Sequence, residues 1–221
     1  CYGMTIHAED ATSLTLTCNG NGADTCKKVT VYGPTSPGAT VTVNCEGTGN
    51  YKCSNGMKVY AAAAASVDFS CSTNGKNCGD GVKIACPGCD QLNAPDDSGC
   101  AEGSNANANV ATEPCKVSCT AKSNNDGPCQ YAGVYSGASG AVVTCDDAAT
   151  SGLSKDTCLA LNLFQPDAWT TNANSAVVDC TACTGDQDYE CCYYAGIFRA
   201  GQREVWTNND VGVAANKKIR K

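Results

Sequence analysis

The sequence predicts an all-β fold: a disulfide-stapled β-solenoid of about seven coils, each about 26 residues long. Three observations support this prediction. Cysteines recur at a fixed interval, valine-rich segments alternate around them, and Gly/Asn-rich turns separate the cysteines of each unit. The leading cysteines Cys18, Cys45 and Cys71 follow one another after 27 and 26 residues. Self-similarity at such an interval is typical of stacked units rather than of one globular core.

The leading half of each unit alternates apolar and polar residues. In the segment VTVNC, which begins at Val41, the valines and the cysteine share one face, and the threonine and asparagine share the other. The segments Leu14–Cys18 and Val67–Cys71 repeat this pattern. Period-two alternation rich in β-branched residues predicts a half-buried strand.

The second half of each unit begins with a turn. A Gly/Asn-rich stretch such as Asn19–Thr25 follows the leading cysteine and predicts a reversal of the chain. The second cysteine then opens another apolar alternation, with Val29 and Val31 in the first unit and Val82 and Ile84 in the third. Each unit is therefore predicted as strand, cysteine, turn, cysteine, strand and a Pro/Gly/Ala-rich corner.

The pattern returns in looser form later in the chain, at Val117–Cys119, Val142–Cys145 and Val177–Cys180. Because 48 residues separate Cys71 from Cys119, close to two periods, an irregular unit around Cys100 is predicted between them. The predicted organisation comprises an N-terminal segment and candidate cap strand, regular repeats, an irregular loop-rich unit, looser repeats and a basic tail: 1–13, 14–89, 90–116, 117–204 and 205–221.

Two architectures satisfy this pattern. In a β-solenoid each unit is one coil, and its strands stack on their counterparts in the next coil. In an array of disulfide-closed β-hairpins, the two strands of one unit pair directly and the cysteine bridge closes the turn. The solenoid is favoured because Gly/Asn turns and small side chains suit a narrow coil, and a Val/Cys interior needs few aromatic residues.

Composition indicates the compartment. The chain has 19 cysteines in 221 residues, a density that persists only under oxidising conditions and predicts a secreted or cell-surface protein. The sequence is interpreted as a mature product whose leader has been removed. A net charge of −7 argues against binding nucleic acid through phosphates, and no apolar run is long enough for a transmembrane segment.

Spacing predicts the disulfides. One bridge within each of six units is expected, as Cys18–Cys26, Cys45–Cys53, Cys71–Cys78, Cys119–Cys129, Cys145–Cys158 and Cys180–Cys191. Three further bridges are proposed among the remaining cysteines, as Cys183–Cys192, Cys89–Cys100 and Cys86–Cys115. Nineteen is an odd number, and Cys1 lies outside the repeats, so Cys1 is the candidate intermolecular or modified thiol.

Little in the sequence indicates catalysis. His7 is the only histidine and is interpreted as a solvated surface residue, which excludes most histidine-dependent mechanisms. Acidic clusters occur in predicted turns and are interpreted as solubilising groups, at Asp96/Asp97, Asp146/Asp147 and Asp186/Asp188/Glu190. The CPGC and CTAC motifs are assigned to disulfides rather than zinc in an oxidising compartment. No enzyme activity and no cofactor are predicted, and Thr35 and Ser36 are candidate O-glycosylation sites.

The unit V-x-V-x-C-x-G-x(4–5)-C followed by an apolar strand, as in Val41–Val59, resembles cysteine-rich right-handed β-helix repeat proteins of single-celled eukaryotes. The resemblance covers Leu14–Cys86 well and Val117–Phe198 loosely. It implies an extracellular surface or fibre component, and its motif specifies fold more than function.

The favoured function is a structural subunit of an extracellular filament, flagellar hair or cell-surface coat. Copies of the chain are the expected partner, joined head to tail through terminal segments, with the basic tail docking on an acidic body. The first alternative is a surface adhesin or carbohydrate-binding β-helix with glycan partners, which clustered exposed aromatics would favour: Trp169, Tyr193, Tyr194 and Trp206. The second alternative is a polysaccharide-active enzyme.

Overall fold

The computed structural model describes residues 1–74, 77–89, 114–122, 127–137, 140–147, 156–164, 177–183, 191–192, 194–199, 202–205 and 218–220. Every regular element within these residues is a β-strand, so the all-β class predicted from sequence is confirmed. The strands are β1 (Thr5–His7), β2 (Ser13–Cys18), β3 (Thr30–Tyr32), β4 (Thr40–Gly47), β5 (Lys58–Tyr60), β6 (Ser66–Thr73), β7 (Lys83–Ala85), β8 (Cys115–Ala121), β9 (Gly133–Tyr135), β10 (Ala141–Asp146), β11 (Asn162–Phe164), β12 (Val177–Ala182), β13 (Gly196–Arg199), β14 (Gln202–Val205) and β15 (Lys218–Arg220).

The chain alternates between two sheets. The first sheet has the order β1-β3-β5-β7-β9-β11-β13-β14, and the second has the order β15-β12-β10-β8-β6-β4-β2. A long leading strand in the second sheet and a three- or four-residue strand in the first sheet make one repeat, beginning with β2 and β3 and ending with β12 and β13. Neighbouring repeats pair in parallel in both sheets.

The register places equivalent residues of successive repeats opposite each other. In the second sheet Cys18 pairs with Cys45, Cys45 with Cys71, and Cys71 with Cys119. The two strands of one repeat lie in different sheets and do not pair with each other, so the hairpin-array alternative is wrong for these repeats. Parallel pairing requires a long connection between paired strands, and the rest of each repeat supplies it.

The number of repeats differs from the prediction. Strand β6 pairs directly with β8, and β7 pairs directly with β9, so no repeat intervenes between them in either sheet. The described residues form six stacked repeats rather than about seven. The predicted irregular unit around Cys100 falls on residues 90–113, which lie outside the described residues.

The core lies between the two sheets and is built from alternate residues of both. Val41, Val43 and Cys45 of β4 are at most 1% exposed, and Val31 and Val59 of the first sheet are fully buried. These residues belong to one continuous cluster that extends through all six repeats. Small β-branched residues and cysteines suffice because the two sheets are close, which explains the low aromatic content of 6%.

A third set of backbone hydrogen bonds connects the turns between the two sheets. In the second repeat Tyr51, Cys53 and Asn55 all have left-handed φ angles, of 56°, 48° and 51°. The Cys53 N–H donates to the carbonyl of Thr25 in the preceding repeat, and the Asn55 N–H donates to Asp80 in the following one, at 3.0 and 2.8 Å. Alternate left-handed residues thus satisfy turn backbone groups across repeats as well as within them.

The last strands reverse direction. Strand β14 pairs antiparallel with β13, and β15 pairs antiparallel with β12. Within the part of the chain that the structure describes, no helix is long and apolar enough to cross a membrane.

Candidate functional site: the aromatic column and its cleft

A column of aromatic side chains lies on the outer face of the first sheet. Each short strand buries its middle residue and turns its third residue outward, because successive side chains of a strand point to opposite faces. Parallel register then brings the third residues into one row, which we call the aromatic column: His7, Tyr32, Tyr60, Ala85, Tyr135 and Phe164.

The first three rings of the column are stacked. The centroids of His7 and Tyr32 are 5.0 Å apart with planes 12° from parallel. The centroids of Tyr32 and Tyr60 are 5.1 Å apart with planes 7° from parallel. The spacing of neighbouring strands, about 4.8 Å, is close to the separation that stacked rings prefer, so the register itself produces the stack.

The column is interrupted once and then continues. Ala85 occupies the next position and is fully buried together with Cys89. Beyond it, Tyr135 and Phe164 stack with centroids 4.7 Å apart. Tyr135 is only 4% exposed, and this burial raises the pKa of its hydroxyl. The accessible part of the column is therefore its first part, at His7, Tyr32 and Tyr60.

A cleft of about 390 Å³ opens beside this accessible part. Its walls are the two tyrosines, the corner that follows β3, the corner that follows β5 and one carboxylate: Tyr32, Tyr60, Gly33, Pro34, Thr35, Ala62, Ala63 and Glu9. Gly33 is required where the first corner meets the second, since a Cβ there would lie 3.0 Å from the Tyr60 carbonyl oxygen. The alanines of the second corner leave the cleft open.

Polar contacts hold the rim of the cleft in place. His7 Nδ1 donates to Oε1 of Glu9 at 3.0 Å, and this hydrogen bond lowers the pKa of the Glu9 carboxyl. The backbone N–H and the hydroxyl of Thr35 both donate to the Glu9 carbonyl, at 3.0 and 2.9 Å. Burial raises the pKa of the Tyr60 hydroxyl, which keeps it protonated at neutral pH. The rim therefore presents an ionised carboxylate beside aromatic edges.

Sequence reasoning missed this site. His7 is exposed, but it is engaged by Tyr32 and Glu9 and is not a simple solvated residue. Of the four aromatics suggested as a cluster, Tyr194 is 46% exposed, and the other three lie outside the described residues: Trp169, Tyr193 and Trp206. The signal that could have found the column is the aromatic residue that ends the second strand of four different units.

The disulfides form a second column, inside the molecule. The structure joins the predicted partners in six bridges: Cys18–Cys26, Cys45–Cys53, Cys71–Cys78, Cys119–Cys129, Cys145–Cys158 and Cys86–Cys115. The first five each connect the end of a leading strand to the following turn. The sixth closes the base of the long segment between β7 and β8.

The predicted pairs Cys180–Cys191 and Cys183–Cys192 are wrong. Cys180 is bonded to Cys192, and Cys183 to Cys191. Hydrogen bonding across the turns explains the difference: the Cys192 N–H donates to Thr157, as Cys158 donates to Pro128. Cys192, with φ of 59°, therefore occupies the turn position of the other bridged cysteines, and Cys191 precedes it by one residue.

The third repeat shows that this turn position does not require cysteine. There Gly79 has the left-handed φ of 68°, its N–H donates to Lys52, and Cys78 stands one residue earlier. Cys78 still reaches Cys71. The cysteine spacing is thus slightly irregular, whereas the turn geometry is kept from repeat to repeat.

The remaining cysteines carry no metal chemistry in the described residues. Cys1 is exposed and has a free thiol, while Cys89 of the CPGC motif is disulfide-bonded. Three groups of sulfur atoms approach within 4.8 Å of one another, but every cysteine in them is already in a bridge. The predicted partner of Cys89, Cys100, lies outside the described residues.

The other candidate residues are spread over the surface. Asp146 ends β10 and Asp147 is buried, so the interpretation of this pair as solubilising turn residues is wrong. The other two acidic clusters lie outside the described residues. Of the two candidate glycosylation residues, Thr35 is exposed at the rim of the cleft and Ser36 is half-buried.

One buried cation was also missed. The Lys52 side chain is fully buried in the turn of the second repeat, and its Nζ donates to the Gly20 carbonyl in the turn of the first. Burial lowers the pKa of this amine. Lys52 therefore ties two neighbouring turns together from the inside.

Comparison of the chain with protein-family models, with curated proteins and with solved structures finds no match.

Proposed function

We propose that this protein is a secreted structural subunit of an extracellular filament, flagellar hair or cell-surface coat. In this proposal the two sheets wind as a disulfide-stapled β-solenoid, and copies join head to tail. The backbone ladders would carry load along the stack and the disulfides would lock each repeat. The eight bridges between described cysteines support an oxidising, extracellular setting.

The observation that carries the proposal is the outer edge of β2. This strand of six residues has a single neighbour, β4. Its core-facing residues Leu14 and Leu16 are only half-buried, whereas their register partners Val41 and Val43 are at most 1% exposed. An edge strand with incompletely covered apolar side chains is a template for pairing with another chain.

The opposite end of the stack supplies a complementary edge. Strand β15 covers β12 and belongs to the basic segment that ends the sequence, while Glu9, Asp10 and Asp24 lie near the β2 end. Because β15 is antiparallel to β12 and β2 is not, β15 of one copy would meet β2 of the next as an antiparallel pair. Strands β14 and β1 have the same relation in the first sheet, so one junction can extend both sheets.

The test compares two lysine substitutions in β2. Leu16→Lys places a charge on the core-facing side of the edge, and Thr15→Lys places the same charge on the outer side. Size-exclusion chromatography and negative-stain microscopy over a concentration series should show end-to-end particles for the unchanged chain and for Thr15→Lys, and monomers for Leu16→Lys. Cys1→Ser is included in all three proteins, so that a disulfide through Cys1 does not contribute. A chain that stays monomeric at every concentration, or assembles equally with either lysine, contradicts the proposal.

A further inference from the structure

The cleft beside the aromatic column has the features of a ligand site rather than of a junction between copies. It lies on the outer face of the first sheet, beside Tyr32 and Tyr60, and not on the edge of either sheet. Its volume of about 390 Å³ falls within the range of small-molecule sites, which combine a mostly apolar lining with a few placed polar groups. From these features and the chemistry below, we propose that the cleft binds a neutral hexopyranose unit of a polysaccharide.

The aromatic wall is rigid before any ligand arrives. Tyr32 is held between His7 and Tyr60, with both ring separations near 5 Å. A side chain already fixed by stacking loses little rotamer freedom when it contacts a ligand, so the contact costs less entropy. Tyr32 is still 36% exposed, which leaves ring edge and hydroxyl available to the C–H groups and hydroxyls of a sugar.

The polar groups of the cleft suit hydroxyls as partners. The hydrogen bond from His7 favours the ionised form of Glu9, and a carboxylate accepts hydrogen bonds through two oxygens. Two neighbouring hydroxyls of a pyranose match such an acceptor. The Tyr60 hydroxyl complements it, because a protonated phenol both donates and accepts.

Charge decides the class of sugar. The residues that line the cleft include one carboxylate, Glu9, and no lysine or arginine. A uronic acid or a sulfated sugar would bring a second negative charge beside Glu9 without a compensating cation, and like charges disfavour binding. The ligand is therefore a neutral sugar, and the small side chains of Ala62 and Ala63 leave room for its ring.

The experiment measures binding of neutral hexasaccharides built from glucose or mannose, with an oligogalacturonate as the acidic comparison, by calorimetry and saturation-transfer NMR. Tyr32→Ala removes the aromatic wall, and Ala63→Leu fills the cleft while leaving the column intact. Tyr131→Ala removes a tyrosine that is 60% exposed in the turn of another repeat and serves as the matched control. Thermal melts establish that each variant is folded.

We expect at least one neutral oligosaccharide to bind, and its affinity to fall about tenfold in Tyr32→Ala, a loss expected for an aromatic contact and its buried area. Ala63→Leu should cause a similar loss, and Tyr131→Ala should change the affinity by less than about twofold. The assignment is overturned if no neutral oligosaccharide binds, if the acidic one binds as tightly, or if Ala63→Leu leaves affinity unchanged. These outcomes do not depend on whether copies assemble through β2.

Discussion

Cys71 lies directly opposite Cys119 in the second sheet, although 48 residues separate them in the sequence. The two ends of the intervening segment are also close, since Cys86 and Cys115 are bridged with Cα atoms 5.6 Å apart. The stack from β6 and β7 to β8 and β9 is thus continuous in both sheets. Residues 90–113 contribute no strand between these pairs, because each pair is already in direct contact.

Replacement of residues 90–113 by a short Gly/Ser linker, together with Cys89→Ala, should leave folding intact. The Cys86–Cys115 bridge and the pairing of β6 with β8 do not depend on the replaced residues, so we expect the melting temperature to fall by only a few degrees. The same replacement with Cys86→Ala and Cys115→Ala should cost a further ~2–4 kcal/mol, as expected for a lost disulfide. Loss of cooperative unfolding in the first variant would contradict the continuous stack.

Removal of one whole repeat should also be tolerated, provided that the register is kept. Deletion of residues 40–65 joins Ala39 to Ser66, the register partner of Thr40, and removes both Cys45 and Cys53. Deletion of residues 40–66 removes one residue more and turns the side chains of β6 to the opposite face.

The longer deletion should fail, because it exposes Val67 and Phe69, each worth about 1.5–3 kcal/mol when buried. Circular dichroism, thermal melts and thiol counting distinguish the two proteins: the shorter deletion should melt cooperatively and show one reactive thiol, Cys1. Equal stability of the two deletion proteins would show that the alternation does not set the register.

The bridges of the last repeat can be tested with two variants that each keep Cys180. Cys183→Ala/Cys191→Ala retains the observed Cys180–Cys192 bridge, and Cys183→Ala/Cys192→Gly leaves only Cys191 as a partner. The first variant should have the higher melting temperature and no new reactive thiol, because Cys192 stands at the hydrogen-bonded turn position. Glycine is used at 192 so that backbone strain does not explain a loss in the second variant. A more stable second variant would refute the pairing described above.

The left-handed conformation of Cys53 predicts an unusual order of stability among bridge-free variants. With φ of 48°, position 53 favours glycine over alanine by about 1 kcal/mol. Cys45→Ala/Cys53→Gly should therefore be more stable than Cys45→Ala/Cys53→Ala in urea unfolding. The control has the composition of the first variant with positions exchanged: Cys45→Gly/Cys53→Ala should be the least stable, because Cys45 lies within β4. The reverse order would mean that position 53 is not held in a left-handed conformation.

Lys52 and Lys27 should respond to pH in opposite directions. Burial lowers the Lys52 pKa below its ordinary value of 10.5, so the unfolded chain binds more protons in the pH range just below 10.5. Stability attributable to Lys52 therefore rises as the pH approaches 10.5, and the stability of the native chain relative to Lys52→Met should rise with it.

Lys27 is the matched comparison. A hydrogen bond from its amine to Asp24 raises the Lys27 pKa above 10.5, so its contribution is complete below 10.5 and is lost as the pH rises through the folded-state pKa. Relative to Lys27→Met, the native chain should lose stability over that range. Urea unfolding between neutral and alkaline pH measures both differences, and slopes of the same sign would contradict the assignments.

The sequence predicted the leading strands well and the site poorly. Alternation around Val41 and Cys45 is a local signal, and the observed burial of those residues follows it. The column at Tyr32 and Tyr60 depends on which residues become neighbours across parallel strands, and the period alone does not reveal that a tyrosine faces outward. Hydrogen bonding to the preceding turn selects Cys192 over Cys191, and no spacing rule distinguishes two adjacent cysteines.

The reversed strands β14 and β15 end a body in which every earlier pairing is parallel. Since each added repeat widens both sheets by one strand spacing, about 4.8 Å, the height of this body is quantised by the number of repeats. The genome can therefore encode the reach of the protein by duplication, as a mason sets the height of a wall by the number of courses.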